Sequence, residues 1–215
     1  MSLEQELDYL AARQYAYAVF QRLLGDRPTE ELLNALDLNV LTEALEIVGV
    51  DELAVATLCA LLEAAPGQLA ELDDEYARVF VGPKALPAPP WESVYAGKRR
   101  LIMTEDTLAV RNAYRAQGFE PALGRRVPDD HIAIELDFMA NLALRAFEAA
   151  QQGKAVECAE ALDASRAFLA EHLTQWTGDF IADLEAHAES AFYAGVAQAA
   201  STFCAADLKA LELDA

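Results

Sequence analysis

The stretch VFVGPKALPAPPWESVY, residues 79–95, interrupts a chain that otherwise reads as helix. Four of the chain's eight prolines fall inside it: Pro83, Pro87, Pro89 and Pro90. Proline fixes φ and removes a backbone donor, so the stretch is a stiff, extended path that costs little entropy to order. Aromatic residues stand at both ends. Tyr76 and Phe80 lie four apart on one side, Trp91 and Tyr95 four apart on the other. Two readings of the segment are open. One is a rigid crossover whose aromatics pin it to the core. The other is a recognition wall, because aromatic anchors beside carboxylates such as Glu92 are the usual make-up of a peptide hot spot.

Outward from this stretch, apolar residues recur at helical spacing and β-branched alternation is scarce. The pattern predicts helices over 3–24, from Thr29 onward, and over 39–48, 51–65 and 68–81. Gly25, Pro28, Gly49 and the Pro66-Gly67 pair separate them. Further helices are expected over 105–117, 155–172, 174–188 and 190–211. Pro128-Asp129-Asp130 reads as the opening of the clearest helix, running to about Gln152. Proline suits the first turn, where its missing N–H has no partner, and two acids suit the positive end of the helix dipole. Short connections favour antiparallel neighbours. The fold class expected is all-α: a single helical-bundle domain of about ten helices over residues 1–215, with a proline-rich crossover and a hinge near 119–127.

Composition bounds the function. The 215 residues carry a formal net charge of −20. A chain of this length buries roughly 70% of its unfolded surface and needs no staples. Such acidity repels phosphate backbones, which argues against nucleic acid, and it steers basic peptides inward. Its other reading is solubility alone. Cys59, Cys158 and Cys204 stand far apart with no CxxC pair, as expected of reduced, structural thiols. The N-terminal MSLEQELDYLAARQ lacks the basic-then-apolar pattern of a signal peptide, and no uninterrupted apolar run approaches a membrane span. The expectation is a cytoplasmic protein.

Enzyme motifs are sparse. There is no phosphate loop, no GxGxxG, no HExxH and no GxSxG elbow around Ser93. His131 and Glu135 lie four apart on one helix face. They make at most half of a metal site, which needs three or four ligands, so no metal is expected. At 100° per residue His131 aligns with Glu135, Phe138 and Leu142. It reads either as a helix-start histidine paired with a carboxylate, or as part of a groove in which Asp129, Asp130, His131 and Glu135 recognise a ligand. A small-molecule enzyme with His131 as general base and Glu135 as its orienter is the alternative function.

Two motifs in order carry a resemblance. Tyr76-x-x-x-Phe80-Val81-Gly82-Pro83, then Pro87-Ala88-Pro89-Pro90-Trp91-Glu92-Ser93-Val94-Tyr95, resembles a signature of the TorD/DmsD family of redox-enzyme maturation chaperones. Pro128-Asp129-Asp130-His131-Ile132-Ala133-x-Glu135-Leu136-x-Phe138-Met139 resembles its second signature. Thr107-x-x-Val110-Arg111-x-x-Tyr114, His172-x-x-x-Trp176 and Phe192-Tyr193 also fit, so the likeness spans roughly 70–205. Lys84 replaces an expected glycine and Val127 an expected glutamate. The resemblance implies a chaperone without catalytic residues. It would bind the twin-arginine leader and apo-form of a molybdopterin-containing oxidoreductase of the dimethyl sulfoxide reductase type, assisting cofactor insertion and delaying export. Such a leader is a basic region followed by an apolar stretch. The implied peptide-binding set is Tyr76, Phe80, Trp91, Glu92, Ser93, Tyr95, Asp129, Asp130, His131, Glu135 and Phe138. Apart from the resemblance, a third reading is a structural dimerisation module, because strained hinges in helical bundles favour exchange of halves, with 119–127 as the hinge; the expected state is a monomer or domain-swapped dimer. A client of the non-exported nitrate-reductase type is the variant reading. The family's link to guanine-nucleotide binding meets no phosphate loop in this sequence, and no cofactor is expected.

Overall fold

The computed structural model describes residues 2–82, 85–97, 100–121 and 127–213, and these residues form an all-α structure. Local signals set the helix ends. In α1 (Leu3–Gly25), the Ser2 hydroxyl accepts from the Gln5 backbone while the Gln5 side chain accepts from the Ser2 N–H, a reciprocal cap. Thr29 caps α2 (Glu30–Asn34), Asp37 caps α3 (Leu38–Val48), and Asp51 caps α4 (Glu52–Ala64). Gly49 ends α3 at φ 95°, a left-handed position that glycine occupies without strain.

A 3₁₀ turn, Ala65–Gln68, absorbs Pro66 and leads into α5 (Leu69–Tyr76). The helical run Glu52–Val81 is long and apolar enough by composition to cross a membrane. In the fold, α4 packs against α3 and the last helix. The proline segment then leads to the short α6 (Glu92–Ala96), and Thr104 caps α7 (Glu105–Ala116).

The central element is α8 (Ile132–Gln151). It packs against α1 on one side and α9 (Ala155–Phe168) on the other. Its apolar side chains are buried, with Leu136, Met139, Leu142 and Ala143 fully enclosed. After α9 come α10 (Thr174–His187) and α11 (Phe192–Leu213), which lies against α10, α4 and α1. A single connected apolar core runs through these helices. Cys158 and Cys204 are buried in it, Cys59 is half-buried, and all three are free thiols.

Two details depart from the sequence pattern. The helix expected from Pro128 begins at Ile132, because His131 is its N-cap. Residues 128–131 form a turn instead, closed by His131 N–H on the Pro128 carbonyl, and the Asp130 carbonyl accepts from the proline segment. The second departure is a pair of π-turns, Ala77–Val81 and Leu169–Leu173. The latter joins α9 to α10 without a break, where two separate helices were expected. Such single wide turns rotate the side chains that follow them, and they recur at functional sites. The expected hinge near 119–127 falls largely on residues 122–126, outside the described residues.

A buried charge ties the two ends of the bundle together. Arg13 Nε donates to Asp207 Oδ1 at 2.6 Å. The same carboxylate accepts from Tyr9 and Tyr17 at 2.8 and 2.6 Å. Arg13 and Asp207 are both fully enclosed, so α1 and α11 share one desolvated ion pair.

Candidate functional site

The proline segment and the start of α8 meet through their backbones. Ile132 N–H donates to the Pro90 carbonyl at 2.9 Å, and Glu92 N–H donates to the Asp130 carbonyl at 3.0 Å. Trp91 and His131 thereby face each other across an isolated antiparallel bridge. Pro90 has no N–H to leave unpaired, and only its carbonyl is used. The Asp130 side chain completes the junction: its Oδ2 accepts from Ser93 N–H at 2.9 Å. Trp91 gives α6 no side-chain cap, so Asp130 supplies that cap from the other motif.

His131 caps α8. Its Nδ1 accepts from Ala133 N–H at 3.1 Å, so the neutral ring carries its proton on Nε2. Burial pushes its pKa down to about 4. The Trp91 ring stands edge-on to it, with centroids 5.7 Å apart. Asp129, one residue earlier, pairs with Arg111 of α7, and its carbonyl accepts from the Tyr114 hydroxyl at 3.0 Å.

The remaining acids turn inward. His172 Nδ1 lies 3.0 Å from both Glu92 oxygens. Trp176 Nε1 donates to Glu135 Oε2 at 3.2 Å. Burial, with the nearby Glu92 charge next, raises the Glu135 carboxyl well above the usual range. His172 lies within the π-turn and Trp176 follows it, and each reaches one acid. Aromatic contacts then run outward. Tyr95 stacks on Trp176 at 5.6 Å and meets Phe180 edge-on at 6.1 Å. Phe180 touches Phe80, which touches Tyr76 at 5.2 Å. Phe138 packs into a separate cluster with Tyr114, Phe119 and Phe168.

The two sequence motifs therefore form one junction. The residues proposed from sequence fall into two groups within it. Tyr76, Phe80, Glu92, Ser93, Asp129, Asp130, Glu135 and Phe138 are buried, most of them within the bonds just described. Trp91, Tyr95 and His131 are half-buried and reach the surface. The arrangement is a rigid base carrying a small aromatic and imidazole face. His131 is bonded to backbone and not to a carboxylate, so Glu135 does not orient it as a general base.

Sequence reading passed over two residues beside this face. Arg100 pairs with Asp183 of α10 and lies over the Tyr95 ring, 5.1 Å from its centroid. Asp183 is one of many acids on a strongly acidic chain, and its place became visible only in the fold.

Comparison with known proteins places the chain in a family. Residues 49–182 match the family model described as nitrate reductase delta subunit. The Tat proofreading chaperone DmsD of Salmonella typhi is 33% identical over 129 residues, covering 60% of this chain and 56% of that protein. The DmsD of Salmonella paratyphi A is 32% identical over the same extent. Chaperone protein TorD of Vibrio parahaemolyticus is 30% identical over 137 residues, covering 64% of this chain and 62% of that protein. The chain thus spans little more than half the length of the DmsD relatives it matches. These relatives bear chaperone names and not enzyme names. The chain belongs to the nitrate reductase delta subunit family, which embraces the TorD and DmsD chaperones.

Proposed function

We propose that this protein is a cytoplasmic chaperone for a redox enzyme and has no catalytic step. It binds the twin-arginine leader of a molybdopterin-containing precursor together with the unfinished enzyme body, assists cofactor insertion and delays export. The observation that carries this reading is the junction itself. Two distant motifs spend their buried polar groups on holding Trp91, Tyr95 and His131 in fixed positions at the surface. Rigid aromatic side chains at a preformed site lose little entropy on binding, which is how peptide hot spots gain affinity. The net charge of −20 favours a basic partner and speeds its approach. An apolar stretch after the basic residues suits an aromatic-lined surface.

Affinity capture from anaerobically grown cells, followed by mass spectrometry, tests the proposal. A molybdoenzyme precursor with its leader intact is the expected result. The family description supports a second client class, of the nitrate-reductase type, and the variant we propose is a subunit that is not exported. Capture of such a subunit without a leader would select that reading. Capture of no redox enzyme, under several electron acceptors, would contradict both.

A further inference from the structure

The connection between α6 and α7 reads Lys98-Arg99-Arg100-Leu101-Ile102-Met103. It is a basic run followed at once by apolar residues. Leu101, Ile102 and Met103 are all exposed, as is Leu108 one turn into α7. Three consecutive exposed apolar residues are an anomaly on a soluble surface unless they serve a partner. Arg100 and Met103 both take positive φ, 48° and 60°, in the left-handed region that non-glycine residues rarely adopt. The backbone of residues 100–103 is therefore held in strained conformations at both ends.

What holds it is Arg100. Its guanidinium donates to Asp183 Oδ2 and lies over the face of Tyr95. A planar cation over an aromatic face with a carboxylate at its edge is a general way to recognise arginine. The base of this site is rigid, because Tyr95 is itself stacked on Trp176. The occupant is not rigidly enclosed: the Arg100 side chain is 53% exposed, against 21% for Asp183. A pair this open is screened by solvent and is worth little to the fold.

We infer that Tyr95 and Asp183 form a binding site for an arginine side chain of a basic–apolar peptide, and that Arg100 fills it as an internal stand-in until such a peptide displaces it. The inference rests on the leader-binding reading for the identity of the outside peptide, but not for the existence of the site. Displacement would free the strained residues 100–103 and leave Leu101, Ile102 and Met103 able to contact the apolar part of the ligand.

Two probes separate the two ideas. One is a synthetic leader peptide with adjacent arginines followed by an alanine–leucine run. The other is a synthetic peptide copying residues 96–104 of this chain. The proteins are the full chain, Arg100→Ala, and Arg100→Ala combined with Asp183→Asn. Arg100→Ala should bind the leader probe about tenfold tighter than the unaltered chain, the factor expected if Arg100 fills the site about nine-tenths of the time. It should also bind the copied peptide, which the unaltered chain should bind far more weakly. Adding Asp183→Asn should abolish both gains. Equal or weaker binding of both probes by Arg100→Ala overturns the inference. Binding of the copied peptide with no binding of the leader probe by any of the three proteins keeps the arginine site and overturns the leader reading. Each variant should melt within the range of the unaltered chain, since only a half-exposed pair is lost.

Discussion

Trp91 meets His131 edge to face, with ring centroids 5.7 Å apart, across the only backbone bridge found outside the helices of the described residues. The contact joins positions forty apart in the chain. It explains why the proline segment needs to be stiff: a flexible strand would have to be ordered each time the bridge formed. Trp91 is half-buried and its neighbours are locked, so its ring is held in place at the edge of the junction. Trp91→Ala should weaken binding of a twin-arginine peptide by more than tenfold while costing about 1–2 kcal/mol of stability. Paired calorimetric titration and urea denaturation would check this. A larger stability loss without loss of affinity would mark Trp91 as structural.

Asp130 should behave in the opposite way. It is fully enclosed and caps α6 from across the junction. Asp130→Ala leaves the Ser93 N–H without its acceptor and should destabilise the protein by about 1–3 kcal/mol, read as a lower urea midpoint. Asp130→Asn retains an acceptor oxygen and should recover most of that loss.

His131 predicts a pH dependence. Its folded pKa is pushed down to about 4 from an ordinary 6.5. As pH falls below 6.5 the unfolded chain takes up the proton first, so stability is full above 6.5 and is lost progressively toward pH 4. The amplitude is up to about 3 kcal/mol. Glu135, raised by burial, works against this trend, since its ionisation penalises the fold as pH rises above 4.5. The comparison that isolates His131 is therefore His131→Asn, which keeps an N-cap acceptor but does not titrate. Between pH 6.5 and 4 the variant should lose less stability than the unaltered chain, measured by denaturant melts at matched ionic strength.

The Arg13–Asp207 pair offers a stability test remote from the site. Both partners are wholly desolvated, so removing one strands the other. Asp207→Ala should cost about 3–5 kcal/mol. Thermal and urea unfolding should both shift, and peptide affinity measured well below the transition should not.

Much of the fold was legible in the chain. Thr29 and Asp51 announced helix starts, and Gly49 announced an end. What was hidden depended on distant partners. Pro128 looked like the first residue of a helix, but the acceptor that claims Ile132 N–H is Pro90, far back in the sequence. The π-turn at Leu169–Leu173 has no local signature, and it carries His172, which meets Glu92. The inward turn of those acids could not be read either, because a carboxylate in an acidic chain looks solvated until its partners are placed. For the same reason Asp183 passed unnoticed beside Tyr95.

The central claim is that a basic–apolar leader binds at the face formed by Trp91, Tyr95 and His131. Hydrogen exchange of the full chain, with and without a synthetic twin-arginine peptide, tests it most directly. The account predicts slowed exchange confined to 91–97, 127–133 and the α10 segment around Trp176 to Asp183. Slowed exchange confined to the outer faces of α3, α4 or α9, with that junction unchanged, would contradict it.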